Sequence, residues 1–169
     1  MMAPGHVAFG MVSYLGLTTF DGYQPSVFDY IGVILGALLP DIDHPKSRVG
    51  RMFPTVSHAL ANTFGHRGFT HSLLAVVLFM TVVFQSIESM GESQPLSILV
   101  AVCIGYLSHV MADFCTVSGV PLLWPYRRRW PNGKERGYRI PLFHFTTGGK
   151  FEYVLTSAFA LLLAYAWVY

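Results

Sequence analysis

Histidine and acidic side chains recur in this chain beside long apolar segments, where polar groups are costly and usually have a function. Seven histidines occur among the 169 residues. His109 and Asp113 are four residues apart in the segment Gly-Tyr-Leu-Ser-His-Val-Met-Ala-Asp, so a helix would place both on one face. Imidazole and carboxylate are suitable ligands for zinc, and carboxylate-rich sites also suit manganese or iron. This pair therefore predicts a metal-binding face on a helix.

Two further motifs carry the same chemistry at the borders of apolar segments. Leu-Pro-Asp-Ile-Asp-His-Pro contains Asp41, Asp43 and His44 and follows an apolar segment. His-Arg-Gly-Phe-Thr-His-Ser contains His66 and His71 and leads into the next one. With a histidine near the start and a glutamate after a late Gly-Gly pair, the candidate set comprises His6, Asp41, Asp43, His44, His66, His71, His109, Asp113 and Glu152.

The elements that must position these residues are apolar helices. Hydrophobic residues make up 53% of the chain and charged residues 12%, against about 25% charged residues in ordinary globular proteins. This composition excludes a disordered chain, a highly charged nucleic-acid-binding protein and a disulfide-stapled secreted module. A bilayer span needs about 20 mostly apolar residues. Charge-free segments near or below that length are residues 1–20, 30–40, 68–87, 93–112 and 153–169.

The predicted fold is an all-α, polytopic helical membrane protein with about five helices, forming a single domain over residues 1–169. The first two apolar segments form either two spans or one shallow helical hairpin. All 11 Lys and Arg residues fall in two of the four connections, which the positive-inside rule places in the cytoplasm. The candidate residues then all lie at the cytoplasmic ends of the helices, with the N-terminus inside. A soluble helical protein with an oversized core is the alternative.

Histidines and carboxylates that meet at one level predict a divalent-metal centre. Zn²⁺ is the expected ion, with Mn²⁺ or Fe²⁺ as alternatives, and so many candidates allow two or three ions. The expected metal ligands are His6, Asp41, His66, His71, His109 and Asp113. Asp43, His44 and Glu152 are candidates for further ligands, for groups that orient the ligands, or for a general base. Arg67, next to His66, could bind phosphate oxygens through its planar guanidinium.

The order of these motifs resembles that of the YdjM-like family, from the early histidine to the late Gly-Gly-x-x-Glu. The resemblance covers His6 to Glu152, and the two motifs at residues 39–45 and 66–72 are its most specific parts. It implies a multi-pass protein of the bacterial or archaeal inner membrane, LexA-regulated and described as a predicted metal-dependent hydrolase. The pattern has a more remote likeness to the zinc-dependent phospholipase C and nuclease group, whose members bind three zinc ions.

The expected function is hydrolysis of a lipid phosphoester at the cytoplasmic headgroup level by a metal-activated water. A phospholipase or phosphoesterase of this kind would have a membrane lipid as its partner and no nucleic acid. Two alternatives stay open. One is a zinc-dependent lipid amidase of the alkaline ceramidase type, and the other is a metal-binding membrane protein without enzymatic activity. The sequence predicts no particular oligomeric state.

Overall fold

A computed structural model describes residues 1–65, 67–90, 96–126, 128–129, 135–136 and 144–168. Its α-helices are α1 (Ala3–Asp21), α2 (Val27–Leu38), α3 (Arg48–Met52), α4 (Pro54–Phe64), α5 (Leu73–Met90), α6 (Leu96–Phe114) and α7 (Lys150–Val168). Short 3₁₀ helices cover Leu39–Asp43 and Phe69–His71. A minimal antiparallel pair joins β1 (Arg128–Arg129) to β2 (Glu135–Arg136). The predicted helical fold class is therefore confirmed.

The expected number of about five helices is corrected to seven α-helices within the described ranges. The two additional ones, α3 and α4, lie in the basic connection after α2, where a search for charge-free segments does not find them. Helix α3 begins after Ser47, whose hydroxyl accepts a hydrogen bond from the amide of Gly50 at 2.8 Å. Helix α4 begins at Pro54, whose fixed φ suits the first turn of a helix. Local capping therefore builds two short helices beside the acidic motif.

Helix α6 is the centre of the bundle and packs against α1, α2 and α5. Its contact with α2 is the most extensive and depends on two glycines. A Cβ atom on Gly36 would collide with the carbonyl of Val102, and one on Gly105 would collide with the carbonyl of Val33. Small residues let the two backbones touch. This close approach brings the C-terminal end of α2 against the face of α6 that carries His109.

Both chemistry-bearing motifs fold as short 3₁₀ helices beside the ends of longer helices. Pro40 lies in the first turn of the 3₁₀ helix Leu39–Asp43. The segment predicted to be helical from residue 68 becomes α-helical only at Leu73, because Ser72 caps α5 by accepting a hydrogen bond from the amide of Ala75 at 3.1 Å. The two turns bring both carboxylates to His71, whose Nδ1 lies 3.4 Å from Oδ2 of Asp43 and whose Nε2 lies 3.8 Å from Oδ1 of Asp41.

Helix α6 is the one helix in the described ranges that is long and apolar enough to cross a membrane. A shorter apolar helix covers Leu73–Ser89. Helix α2 has 12 residues, and α1 and α7 have 19 residues each, as α6 has, but do not meet the same test of apolarity within the described residues. By this criterion the polytopic character expected from the sequence is not confirmed.

Candidate metal centre

The face of α6 that carries His109 and Asp113 is buried at the centre of the bundle. Both side chains are fully buried, and Nε2 of His109 lies 3.8 Å from Oδ2 of Asp113. Helix α1 adds His6, whose ring stacks on that of His109 with centroids 3.6 Å apart and planes 7° apart. Nε2 of His6 lies 3.4 Å from Oδ1 of Asp113. These three residues form the first donor group, with ligand atoms within 4.8 Å of one another.

A second donor group joins the two 3₁₀ helices to the same position on α6. Nε2 of His71 lies 3.1 Å from Nε2 of His109. Oδ1 of Asp41 lies 3.8 Å from the first nitrogen and 3.7 Å from the second. The ligand atoms of Asp41, His71 and His109 again lie within 4.8 Å of one another. Both groups therefore use His109, and together they unite five of the six predicted metal ligands.

The hydrogen bonds of His109 define which of its nitrogens can bind a metal. Its Nδ1 lies 2.6 Å from the carbonyl oxygen of Ala37 at the end of α2. A carbonyl only accepts hydrogen bonds, so Nδ1 carries the hydrogen and Nε2 of the neutral ring presents a lone pair. Metal-binding histidines commonly have their second nitrogen held in this way.

The same assignment follows for His71. The hydroxyl of Thr70 donates a hydrogen bond to Oδ2 of Asp43, so its oxygen can accept one from Nδ1 of His71, 3.0 Å away. Nδ1 of His71 also lies 3.4 Å from that carboxylate oxygen. With its hydrogen on Nδ1, His71 directs the lone pair of Nε2 towards the equivalent lone pair of His109.

The two oxygens of Asp113 face different imidazoles, Oδ1 that of His6 and Oδ2 those of His71 and His109. Arg67 donates a hydrogen bond to Oδ1 from Nη2 at 3.0 Å, and the amino group of Met1 contacts the same oxygen. Nη2 of Arg67 also lies 2.9 Å from Oδ2 as an ion-pair contact. Oδ2 is buried, accepts no hydrogen bond within the described part of the chain, and lies 3.6 Å from Nε2 of His71.

These observations test whether the residues fit a metal. Two imidazole lone pairs and the oxygens of Asp41 and Asp113 converge in a largely buried space, where acceptors that face one another repel. A divalent cation relieves this repulsion, and imidazole with carboxylate is a donor set that zinc accepts. The donor set therefore fits a divalent cation.

Arg67 was predicted to bind phosphate, and the structure gives it a different immediate partner. Its guanidinium contacts Asp113, and Nη1 lies 3.4 Å from Oγ1 of Thr116, so it holds the carboxylate in place. Its φ of 54° lies in the left-handed region, a strained conformation that is often found at functional sites. The phosphate-binding role of Arg67 stays a prediction.

The remaining predicted residues lie around the two donor groups. Asp43 is buried, accepts a hydrogen bond from the hydroxyl of Thr70 and lies beside the ring of His71. Glu152 is also buried, and its oxygens accept hydrogen bonds from the backbone amides of Met2 and of Gly148, the latter at 2.7 Å. His44 is half-buried, and its Nδ1 accepts a hydrogen bond from the amide of Lys46 at 3.2 Å. The last predicted ligand, His66, lies outside the described residues.

Sequence reasoning missed a cavity of about 360 Å³ beside Asp41. Its polar lining comprises Asp41, His44, Lys46, Ser47, Arg48 and Arg51. From the sequence alone, the three basic residues indicate only the orientation of the chain in a membrane. Their spacing close behind the acidic motif was the signal that could have revealed the cavity.

Cys115 follows α6 near the cluster but belongs to neither donor group. Burial raises the pKa of its thiol, which keeps it protonated at neutral pH. Because zinc binds the thiolate, this cysteine is a poor ligand as it stands. The candidate ligands in the described ranges are therefore nitrogen and oxygen donors.

The comparison with protein families identifies the relatives of this chain. A family model described as YdjM inner membrane protein matches residues 1–169. The chain belongs to this family. Inner membrane protein YdjM of Escherichia coli K12 is 42% identical over 125 residues, covering 74% of this chain and 59% of that protein. The family resemblance noted from the motifs is therefore confirmed.

Two other relatives extend the comparison within and beyond that species. YvsG of Bacillus subtilis 168 is 33% identical over 165 residues, covering 98% of this chain and 93% of that protein. Inner membrane protein YbcI of Escherichia coli K12 is 35% identical over 100 residues, covering 57% of this chain and 53% of that protein. The YdjM family is described as inner membrane protein, which supports a membrane location here.

The chain spans 59% of the length of the YdjM proteins of Escherichia coli and Shigella flexneri. No solved structure matches the chain.

Proposed function

We propose that this protein is a membrane-embedded, metal-dependent hydrolase that cleaves a lipid phosphoester at the cytoplasmic headgroup level. The observation that carries the proposal is the 3.1 Å approach of the Nε2 atoms of His71 and His109. Carboxylate oxygens of Asp41 and Asp113 lie within 3.8 Å of these nitrogens. Such a donor set in a membrane protein is costly unless it binds a ligand.

The exposed surface supports embedding by more than one helix. Phe20 of α1 is 90% exposed and Trp167 of α7 is 79% exposed, and large apolar side chains are also exposed on α2 and α5, such as Phe28 and Phe84. In water such a surface would drive association, whereas lipid solvates it. A multi-pass arrangement with these faces towards lipid accounts for the low charge content.

The orientation of the site follows from the basic residues near it. Lys46, Arg48 and Arg51 line a cavity that also includes Asp41. Since basic loops stay in the cytoplasm, the cluster would lie at the cytoplasmic side. A polar headgroup of the inner leaflet can approach it there.

The residues that would hold the ion are Asp41, His71, His109 and Asp113. His6 stacks on the ring of His109, and its Nε2 lies 3.0 Å from the carbonyl oxygen of Met1, so this nitrogen donates its hydrogen there. Zn²⁺ is the ion we propose, and when bound it supplies a Lewis acid and lowers the pKa of a coordinated water to about 7. His109 has one nitrogen lone pair to offer, since its Nδ1 hydrogen bonds to Ala37. The two donor groups share this residue, so we propose a single ion between them.

Neighbouring residues position the ligands, and the exposure of Asp41 determines where water can enter. Thr70 and Asp43 fix the ring of His71, and Arg67 fixes Asp113. The side chain of Asp41 is 19% exposed, whereas those of His71 and His109 are fully buried. Water would therefore reach the cluster past Asp41, which is the carboxylate best placed to accept a proton from it.

The serines near the cluster favour the phosphoesterase over the amidase. Ser72 donates a hydrogen bond to the carbonyl of Phe69 at 2.6 Å, and Ser108 donates one to the carbonyl of Gly105 at 2.8 Å. Both hydroxyls are thus used by the backbone, whereas an amidase of the ceramidase type would need a serine directed at the metal.

The test is a combined metal and lipid assay on the full chain purified in detergent. We expect bound zinc by elemental analysis and release of a water-soluble phosphorylated headgroup from phospholipid. Both should be lost in His109→Ala and retained in His58→Ala, which changes an exposed histidine of α4. Wild-type protein without metal would refute the proposal, and release of fatty acid would favour the amidase or an esterase.

A further inference from the structure

We infer that the cavity beside Asp41 is a phosphoryl-binding subsite formed by Lys46, Arg48 and Arg51. The inference rests on the proposed function and names the part of the substrate that enters first. The cavity has a volume of about 360 Å³. It adjoins the metal centre through Asp41, whose Oδ1 lies 3.7 Å from Nε2 of His109.

The charge of the lining favours an anion. Three basic side chains line the cavity against one carboxylate, that of Asp41. Arg48 can bind phosphate through parallel N–H donors, and Lys46 as a compact charge. Arg51 adds its positive charge, while its Nε and Nη2 donate to the carbonyl of Lys46. A divalent cation bound at Asp41 would add positive charge on the side of the cavity that Asp41 lines. A phosphoryl group would therefore bind with its reacting atom near the metal centre.

Hydrogen bonds within the loop hold its backbone and the side chain of Arg51 in place before any ligand binds. Arg51 donates to the carbonyl of Lys46 from Nε at 3.1 Å and from Nη2 at 3.0 Å. The hydroxyl of Ser47 donates to the carbonyl of Asp41 at 2.7 Å. A Cβ atom on Gly50 would collide with the carbonyl of His44, so the loop is packed tightly upon itself. A preordered loop loses less entropy when it binds a ligand.

The size of the cavity limits what part of a substrate it can hold. It lies near the lower end of the range of about 300–1,000 Å³ for small-molecule sites. Its apolar lining includes Leu38 and Val49, which would contact the carbon atoms next to an ester oxygen. This combination fits a phosphate ester headgroup, while acyl chains would stay outside the cavity. Inorganic phosphate carries the same phosphoryl oxygens as the ester and can therefore serve as a probe of the cavity.

The experiment measures binding of inorganic phosphate to the zinc-loaded protein of residues 1–169 in detergent by calorimetry. We expect Lys46→Gln and Arg48→Gln each to weaken the Kd by about tenfold, because each removes a charge-assisted contact. The matched control is Lys150→Gln, an exposed lysine that does not line the cavity, and it should keep the wild-type Kd. Equal affinity of all the variants and the wild type would overturn the inference.

Two further measurements separate this inference from the proposed function and identify the source of the phosphoryl group. Zinc content is measured in every sample. Retained zinc with unchanged phosphate affinity in the cavity variants refutes the subsite alone, whereas wild type without zinc refutes the proposed function. Short-chain phosphatidic acid is then used to displace bound phosphate. If it binds more tightly than inorganic phosphate does, the ligand is a lipid headgroup. Equal competition identifies free phosphate.

Discussion

Nε2 of His71 and Nε2 of His109 lie 3.1 Å apart, and each ring has its other nitrogen engaged elsewhere. Nδ1 of His109 hydrogen bonds to the carbonyl of Ala37, and Nδ1 of His71 faces the hydroxyl of Thr70. The two rings therefore present lone pairs to each other and not a donor to an acceptor. This relationship brings the 3₁₀ helix Phe69–His71 against α6 with two facing lone pairs, which a bound cation would stabilise.

The first prediction concerns the number of ions. His109 belongs to both donor groups but has one lone pair available, so a second ion could not use it. We expect one zinc ion per chain, measured as the metal-to-protein ratio by elemental analysis after dialysis. A ratio of two or three would contradict the shared-ligand arrangement.

The second prediction concerns Thr70, which positions His71 and does not reach the ion itself. Thr70→Val keeps the shape of the side chain but removes the hydroxyl between Asp43 and His71. Loss of such an orienting partner usually costs about 10–100-fold in metal affinity. We expect that loss in a competition titration with a zinc chelator.

The control for this prediction is Thr70→Ser, which restores the hydroxyl. Recovery of zinc affinity in the serine variant would show that the hydrogen bond is responsible. Equal zinc affinity of the valine variant and the wild type would disprove a positioning role for Thr70.

The sequence predicted which residues meet better than it predicted how they are held. His109 and Asp113 are four residues apart, so helix geometry predicts that they share one face. The structure has both on one face of α6. The convergence of His6, Asp41 and His71 on that face followed from placing the apolar segments in a membrane. Helix direction and residue type were sufficient for this part.

The roles of Arg67 and the basic loop could not be predicted from residue type. A guanidinium can pair with a carboxylate or with a phosphate, so residue type does not decide between them, and only the fold brings Arg67 against Asp113. Likewise, Lys46, Arg48 and Arg51 predict a cytoplasmic loop, but their arrangement around a cavity depends on the turn at Ser47. Contacts between distant segments are set by packing, which periodicity does not encode.

The third prediction tests the packing that holds His109 in position. Gly36→Ala places a methyl group against the carbonyl of Val102 and forces α2 away from α6. We expect a loss of about 1–3 kcal/mol in the free energy of unfolding, as for other overpacked interiors. A lower Tm in detergent, by differential scanning fluorimetry, measures it.

Gly16→Ala is the matched control, because a Cβ atom there meets nothing within 4 Å. Alanine favours an exposed helix by up to about 1 kcal/mol over glycine, so its Tm should stay equal or rise. Equal Tm values for the Gly36→Ala variant and the wild type would show that the α2–α6 contact can relax.

The fourth prediction separates a structural role of Glu152 from a role as a metal ligand. Its two oxygens accept hydrogen bonds from the amides of Met2 and Gly148, which ties the start of α7 to the start of α1. Glu152→Gln keeps the shape but replaces one acceptor oxygen with an NH₂ donor. We expect a loss of about 1–3 kcal/mol in stability, since a buried amide loses its partner, with zinc content unchanged. A large loss of zinc at an unchanged Tm would instead make Glu152 a metal ligand, and the donor set would have to extend to α7.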